Sequence, residues 1–239
     1  MNKYIEQLNT ILESNNVCKS HGIEHAIAVM NNAQEALKYC HVDNKATKNV
    51  LLAALLHDAD DYKFFKNNDT YHNVKTIMTA CKDSEEDINQ VIHMIDIVSS
   101  SKNGDSIPDN IQEWMLIPRY ADRIEAIGKI GIIRCYKYIQ TQNQPYYTND
   151  TFIPTCEEDI YNVATLERYN NYSGNSVSMI DHYYDKLIRL SIFPIRNEFF
   201  DKECEIRRRP IIDFLLYFGK CMIEKGSFTD IDINQFIDV

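Results

Sequence analysis

Glycine and proline are scarce in this chain of 239 residues, with seven of the first and six of the second. Many short strands need many tight turns, so this shortage argues against a sandwich, a barrel or a propeller and predicts a mainly helical protein. Long hydrophobic runs are missing as well. The longest, Val50 to Leu56, is far short of the roughly 20 apolar residues that cross a bilayer, and the amino terminus lacks a basic stretch followed by an apolar core. No membrane partner and no export signal are therefore predicted. Positive charge is in deficit: 25 Lys and Arg against 35 Asp and Glu give a net charge of −10. That balance argues against a surface devoted to phosphate backbones, and so against nucleic acid as a partner, while leaving room for a local basic pocket. The seven cysteines, at 18, 40, 81, 135, 156, 204 and 221, are odd in number and contain no C-x-x-C pair, which predicts reduced thiols in a cytoplasmic setting. With 44% hydrophobic residues, one generous globular domain over 1–239 is expected.

Helical spacing recurs along the chain. Tyr4, Ile5, Leu8, Ile11 and Leu12 form one amphipathic stripe, and Ile23, Ala26, Ile27, Met30, Ala33 and Leu37 form a second, with Ser20 as its expected cap. A third helix is expected from about Thr47 to Leu56, stopping at His57-Asp58. Ser84 followed by Asp87 reads as a capping signal for a helix through Val98, and Ser99 to Asp109 as a loop. Ile124, Ile127, Ile130 and Ile133 read as one long buried helix with Asp122 at its start, Gly128 and Gly131 allowing a neighbour to come close. From Gln140 to Ser176 regularity weakens apart from a short helix between Glu157 and Arg168, and this polar excursion is a candidate lid. Helices are expected again over 177–190 and 194–225, with a loosely packed tail after Ser227.

Three segments carry groups that call for chemistry. His57-Asp58 ends the most apolar helix, and burying either side chain without a partner costs several kcal/mol; a divalent cation satisfies both, as does a backbone-bonded helix end. In "SHGIEHAIAV", His21 and His25 are four apart and share a helical face, a spacing that chance also produces. "YADRIEAIGKIGIIR" places Asp122 in otherwise apolar surroundings, where a helix-start carboxylate would gain from the dipole. Pooled, His25, His57, Asp58 and Asp122 make a mixed nitrogen and oxygen set suited to Mn, Fe, Co, Ni or Mg rather than a thiolate zinc site. His93, among Val91, Ile92 and Ile95, reads as a core or boundary histidine, and His72 as a surface one. The Arg207 to Arg209 run reads as a solvated or helix-flanking patch.

The ordered set "SHGIEH", "LLHDADDYKF", "YADRIEAIGKIGIIR" and "DHYYDKLIRL" resembles the HD-domain metal-dependent phosphohydrolase superfamily, in its branch of small bacterial-type hydrolases, from His21 to about Leu190. The resemblance implies an all-α multi-helix bundle with a central metal site. It also implies one divalent ion held by His25, His57, Asp58 and Asp122. Asp61 is then expected to orient the attacking water or accept its proton, Lys63 to neutralise a phosphate oxygen, and His182 and Lys186 to meet an anionic substrate. Two positions depart from the common pattern: Ala28 where relatives carry Arg, and Tyr120 where they often carry Asp. The leading expectation is hydrolysis of a nucleoside triphosphate to monophosphate and pyrophosphate. A nucleoside 5'-monophosphatase or other phosphoesterase, and a nucleotide-binding module that keeps the fold without turnover, stay open, as does an oligomeric state.

Overall fold

The structure is a computed structural model that describes residues 1–17, 21–62, 64–65, 70–98, 103, 106–109 and 111–238. It is all-α, and among the described residues there is no strand. Two compact units can be drawn: Met1–Asp122 with Asn197–Phe200, and the rest of the described chain.

In the first unit, α1 (Asn2–Ser14), α2 (Ile23–Leu37), α3 (Asn44–Leu56), α4 (His72–Ala80) and α5 (Glu85–Asp96) precede a 3-10 turn (Glu113–Leu116) and α6 (Ile117–Glu125). Helix α3 is the hub, packed on α2 and α5, while α4 packs on α1 and α5. Its sequence explains that place. Val50, Leu52, Ala53, Ala54, Leu55 and Leu56 leave almost no polar face, and a helix apolar nearly all round is stable only when covered on several sides. Each of the three buried leucines contributes roughly 1.5–3 kcal/mol by leaving water. Asp43 caps α3 by accepting the Ala46 N–H at 2.7 Å, so the helix starts at Asn44, three residues earlier than the periodicity indicates. Ser84 caps α5 at the Asp87 N–H as expected. The α2 cap is Gly22, with no side-chain bond; the expected cap, Ser20, lies outside the described residues. Arg119 of α6, fully buried, donates to the carbonyls of Ile97 and Ser106 and so anchors α6 to the chain that follows α5. Asn197 joins this unit by donating to the Ala36 carbonyl at 3.0 Å while accepting the Phe199 and Phe200 N–H groups. His93 is exposed rather than in the core, and His72 is at the surface as expected.

The second unit contains α7 (Lys129–Gln142), α8 (Glu157–Val163), α9 (Leu166–Asn170), α10 (residues 179–190, with a π turn at Tyr183–Leu187), most of α11 (Glu198–Lys225) and α12 (Asp230–Asp238). The single long helix expected around Gly128 is two helices. Gly128 has φ +84°, a conformation that ends regular helix, and Ile130 beyond it is half exposed. Gly131 comes close to the chain's own backbone, for a Cβ there would meet the Ala126 carbonyl oxygen at 2.3 Å. The tail is not loose. Phe228 and Ile233 are buried, and Phe228 and Phe236 pack their rings on Phe214 at 5.8 and 5.2 Å. The stretch read as a candidate lid contains α8 and α9, and its Pro145 and Tyr146 carbonyls accept the first N–H groups of α10. The arginine run is paired internally: Arg207 with Glu125 and Glu203, Arg208 with Ser191, Arg209 with Glu157 and Asp213.

Gly128 gives a direct test of the helix break. An L-residue there is strained at positive φ, and its Cβ would meet that of Arg207 at 3.2 Å. Gly128→Ala is expected to lower the urea midpoint by about 1–3 kcal/mol equivalent with unchanged slope; a midpoint equal to wild type would contradict the assignment.

Candidate metal centre

His57 is the residue on which α3 ends. Its Nδ1–H donates to the Ala54 carbonyl at 2.9 Å, a bond that fixes the ring and turns Nε2 toward the site. That Nε2 is buried and makes no hydrogen bond. Because α2 packs on α3, the first turn of α2 brings His25 beside it, with ring centroids 5.2 Å apart. Asp58 follows in the turn after α3, and Asp122 comes from α6.

The four side chains converge. His57 Nε2 lies 3.4 Å from Asp58 Oδ2 and 3.6 Å from Asp122 Oδ1, and His25 Nε2 lies 3.8 and 3.4 Å from the same two atoms. These spacings exceed an ordinary N–H···O bond of about 2.7–3.2 Å. They suit donors that share one ion, since bonds of about 2.0–2.2 Å at angles of roughly 90–120° put neighbouring donors roughly 2.8–3.8 Å apart. Donor atoms of His25, His57 and Asp58 all lie within 4.8 Å of one another. The imidazoles are the closed side of the site, 8% and 3% exposed, and the carboxylates the open side, at 20% for Asp58 and 32% for Asp122. Two nitrogens and two oxygens fit a divalent ion of the Mn to Ni series or Mg, as the donor types indicate.

Electrostatics agree with the geometry. Burial alone would keep His57 neutral, but the Asp58 and Asp122 carboxylates outweigh it and raise its pKa well above the usual imidazole value. Burial likewise opposes ionisation of Asp58 and Asp122. The imidazole of His57 nevertheless lowers the pKa of Asp58, and those of His25 and His57 hold that of Asp122 well below the ordinary carboxylate range. The pocket therefore favours positive charge at its centre. Asp122 adds to this in an unexpected way. It stands in the last turn of α6 and not at the start of a helix, so the dipole there disfavours its charge. His25 and His57 outweigh that effect and hold it ionised.

The remaining predicted residues are placed as follows. Asp61 is half-buried in the turn that continues from Asp58, its N–H donating to the Asp58 carbonyl at 3.1 Å. Lys63 lies outside the described residues. His182 and Lys186 sit on α10 in the second unit; Tyr172 packs its ring on His182 at 5.6 Å, and the Lys186 ammonium lies 5.6 Å from the centre of the same ring. Ala28 is half-buried on α2, and Tyr120 is fully buried against Phe200. Two residues escaped the sequence reading. Asp60, 8% exposed, accepts the N–H groups of Asn73 and Val74, both at 2.9 Å, and Asn73 Nδ2 donates back to the Ala59 carbonyl at 2.7 Å. The only signal in the sequence was one more acid than the chemistry needs in "HDADD".

No family model matches the chain. A search of curated proteins finds 39% identity over 223 residues with the uncharacterised protein L803 of Acanthamoeba polyphaga mimivirus, covering 86% of this chain and 90% of that one. The chain belongs to the L803 family. Among solved structures, it is similar to a protein of Lactobacillus plantarum, with a TM-score of 0.67 and 22% identity over 92% of this chain and 94% of that one. It is also similar to an HD-superfamily hydrolase of Bacillus thuringiensis, with a TM-score of 0.58 and 21% identity over 94% and 93%. A third is Bacillus subtilis YpgQ in complex with ADP, with a TM-score of 0.63 and 20% identity over 92% and 98%. At these identities the likeness shows the fold: this L803-family chain has the HD-domain-like fold. Its described residues contain no helix long and apolar enough to cross a membrane.

His182 carries a pH signature of its own. Burial, and then the charge of Lys186, lower its pKa to about 3. An unfolded imidazole titrates near 6.5, so the stability this group contributes is complete above that pH and is lost as pH falls toward 3. Replacing it in His182→Asn is expected to make the urea midpoint fall less between pH 7 and pH 4.5 than it does in wild type. An identical fall in both proteins would contradict the assignment.

Proposed function

We propose that the protein is a metal-dependent phosphohydrolase acting on a nucleotide, cutting a nucleoside triphosphate to the monophosphate and pyrophosphate. The observation that carries this reading is the buried, hydrogen-bond-free Nε2 of His57, faced by Asp58 and Asp122 and joined by His25, in a chain with the HD-domain-like fold. ADP in the YpgQ complex supports a nucleotide as the substrate class.

In this reading His25, His57, Asp58 and Asp122 hold the ion. When bound, it supplies Lewis acidity toward water and toward a phosphoryl oxygen. Asp61 orients the attacking water and accepts its proton; the water oxygen bonds to the α-phosphorus, the bond to the bridging oxygen breaks, and pyrophosphate leaves. Lys63 offsets charge on a phosphate oxygen. Lys186 is assigned the same work and His182 a hydrogen bond, on the strength of the sequence likeness. His182 cannot add charge near neutral pH, because its pKa lies far below that range.

Metal-stripped protein resupplied with Mn, Co, Ni or Mg is to be tested against nucleoside mono-, di- and triphosphates, with products separated by anion exchange. Monophosphate and pyrophosphate appearing only with metal is the expected result. Release of inorganic phosphate from monophosphates would move the assignment to a monophosphatase, and nucleotide binding without any product would make the protein a binding module. His57→Ala and Asp58→Ala are expected to lose metal while remaining helical by circular dichroism; full occupancy in both would remove the ligand assignment. Lys186→Ala is expected to retain metal and lose roughly 10- to 100-fold in kcat/KM, the size of one charge-assisted hydrogen bond.

A further inference from the structure

The turn that carries the His57-Asp58 doublet is tied to a helix that contributes no donor to the metal centre. Helix α4 begins in an unusual way: Tyr71, the residue before it, has φ +51° and offers no side-chain cap. The N–H groups of the first turn of a helix have no partner within it and need one from elsewhere. Here they are met from far away in sequence, by Asp60, whose two carboxylate oxygens accept the Asn73 and Val74 N–H groups at 2.9 Å each. The tie is reciprocal, since the Asn73 side chain donates to the carbonyl of Ala59 at 2.7 Å. Three hydrogen bonds thus join residues 59–60, directly after Asp58, to residues 73–74.

Chemistry separates the acids of "HDADD" into different tasks. Both oxygens of Asp60 are engaged by backbone donors at the start of α4, so its carboxylate is committed to that helix. What it controls is the path of the chain immediately after a metal ligand. Before the ligands, the ring of His57 is fixed by Ala54. Beyond Asp58, the local bonds are those of one turn, Ala59 N–H to Leu56 and Asp61 N–H to Asp58. The link to α4 holds residues 59–60 from outside that turn, and so bears on the direction in which the chain leaves α3 just after the Asp58 carboxylate.

We propose that Asp60 and Asn73 are positioning residues of the metal centre, a non-local helix cap that sets the placement of Asp58, and with it the affinity and ligand field of the bound ion. The inference rests on the metal-centre reading above. Partners of this kind, one step removed from the ligands, typically change metal affinity by about 10- to 100-fold when lost.

Co2+ is the probe, because its visible absorption reports the ligand field without any turnover. Wild type, Asp60→Asn and Asn73→Ala are to be titrated with Co2+ at a temperature where circular dichroism shows each folded. Ser84→Ala, which removes the cap of α5, is the control for an ordinary loss of stability. Asp60→Asn keeps one acceptor and loses the other, and Asn73→Ala removes only the return bond, so at least the milder of the two is suited to folding. The expected result is weaker Co2+ binding by tenfold or more in Asp60→Asn, a smaller loss in Asn73→Ala, and an altered spectrum in Asp60→Asn, with Ser84→Ala binding as wild type does. Unchanged affinity and spectrum in the folded clamp variants would overturn the inference and leave the metal reading intact. Wild-type protein that takes up no Co2+ would overturn the metal reading, and the inference with it.

Discussion

A single imidazole at the end of an apolar helix sets the terms for much of this molecule. The second half of α3 is buried because Val50 to Leu56 leave it almost no polar face, and His57, the residue that follows its last turn, is carried into the interior with it. One ring nitrogen finds the Ala54 carbonyl, while the other finds no hydrogen bond at all. A buried polar atom in that state is unfavourable by a few kcal/mol unless something else answers it. Two carboxylates and a second imidazole stand around it at distances too long for hydrogen bonds and suited to a shared ion.

The surrounding packing delivers these groups to one place. Helix α2 lies on α3 and so presents His25, and the buried Arg119 fastens α6 to the chain after α5, upstream of Asp122. Asp60 fastens the turn after α3 to the start of α4. Among the polar groups of the first unit, two kinds bear on the site. Arg119, Asn197 and Asp60 are engaged with backbone groups and hold elements in register, whereas His25, His57, Asp58 and Asp122 face one another.

Several expectations needed correction, and each for a local physical reason. Apolar spacing continued smoothly through Gly128, yet the chain turns there, because a period of apolar residues says nothing of a positive φ. For the same reason Asp122 was placed at a helix start when it belongs to the last turn of α6. His93 shares a helix with buried Val91, Met94 and Ile95 but points to solvent, a matter of one helical step. The tail after Ser227 is short and acidic and looks unattached, and it is held by aromatic rings distant in sequence.

The sequence by itself determined the helical class, the bounds of α1, α2 and α5 to within a few residues, and the resemblance to the HD superfamily. These depend on local spacing, on capping side chains next to the helices they cap, and on the order of motifs, all of which are present in the linear chain. The tertiary structure decided that His25, His57, Asp58 and Asp122 meet, since they lie on three separate elements and only helix packing sets the distances between them. It also decided what the acids of "HDADD" do. Asp58 and Asp60 are the same residue type two positions apart, and the one that caps a helix is distinguished from the one that faces the imidazoles only by what folds against it.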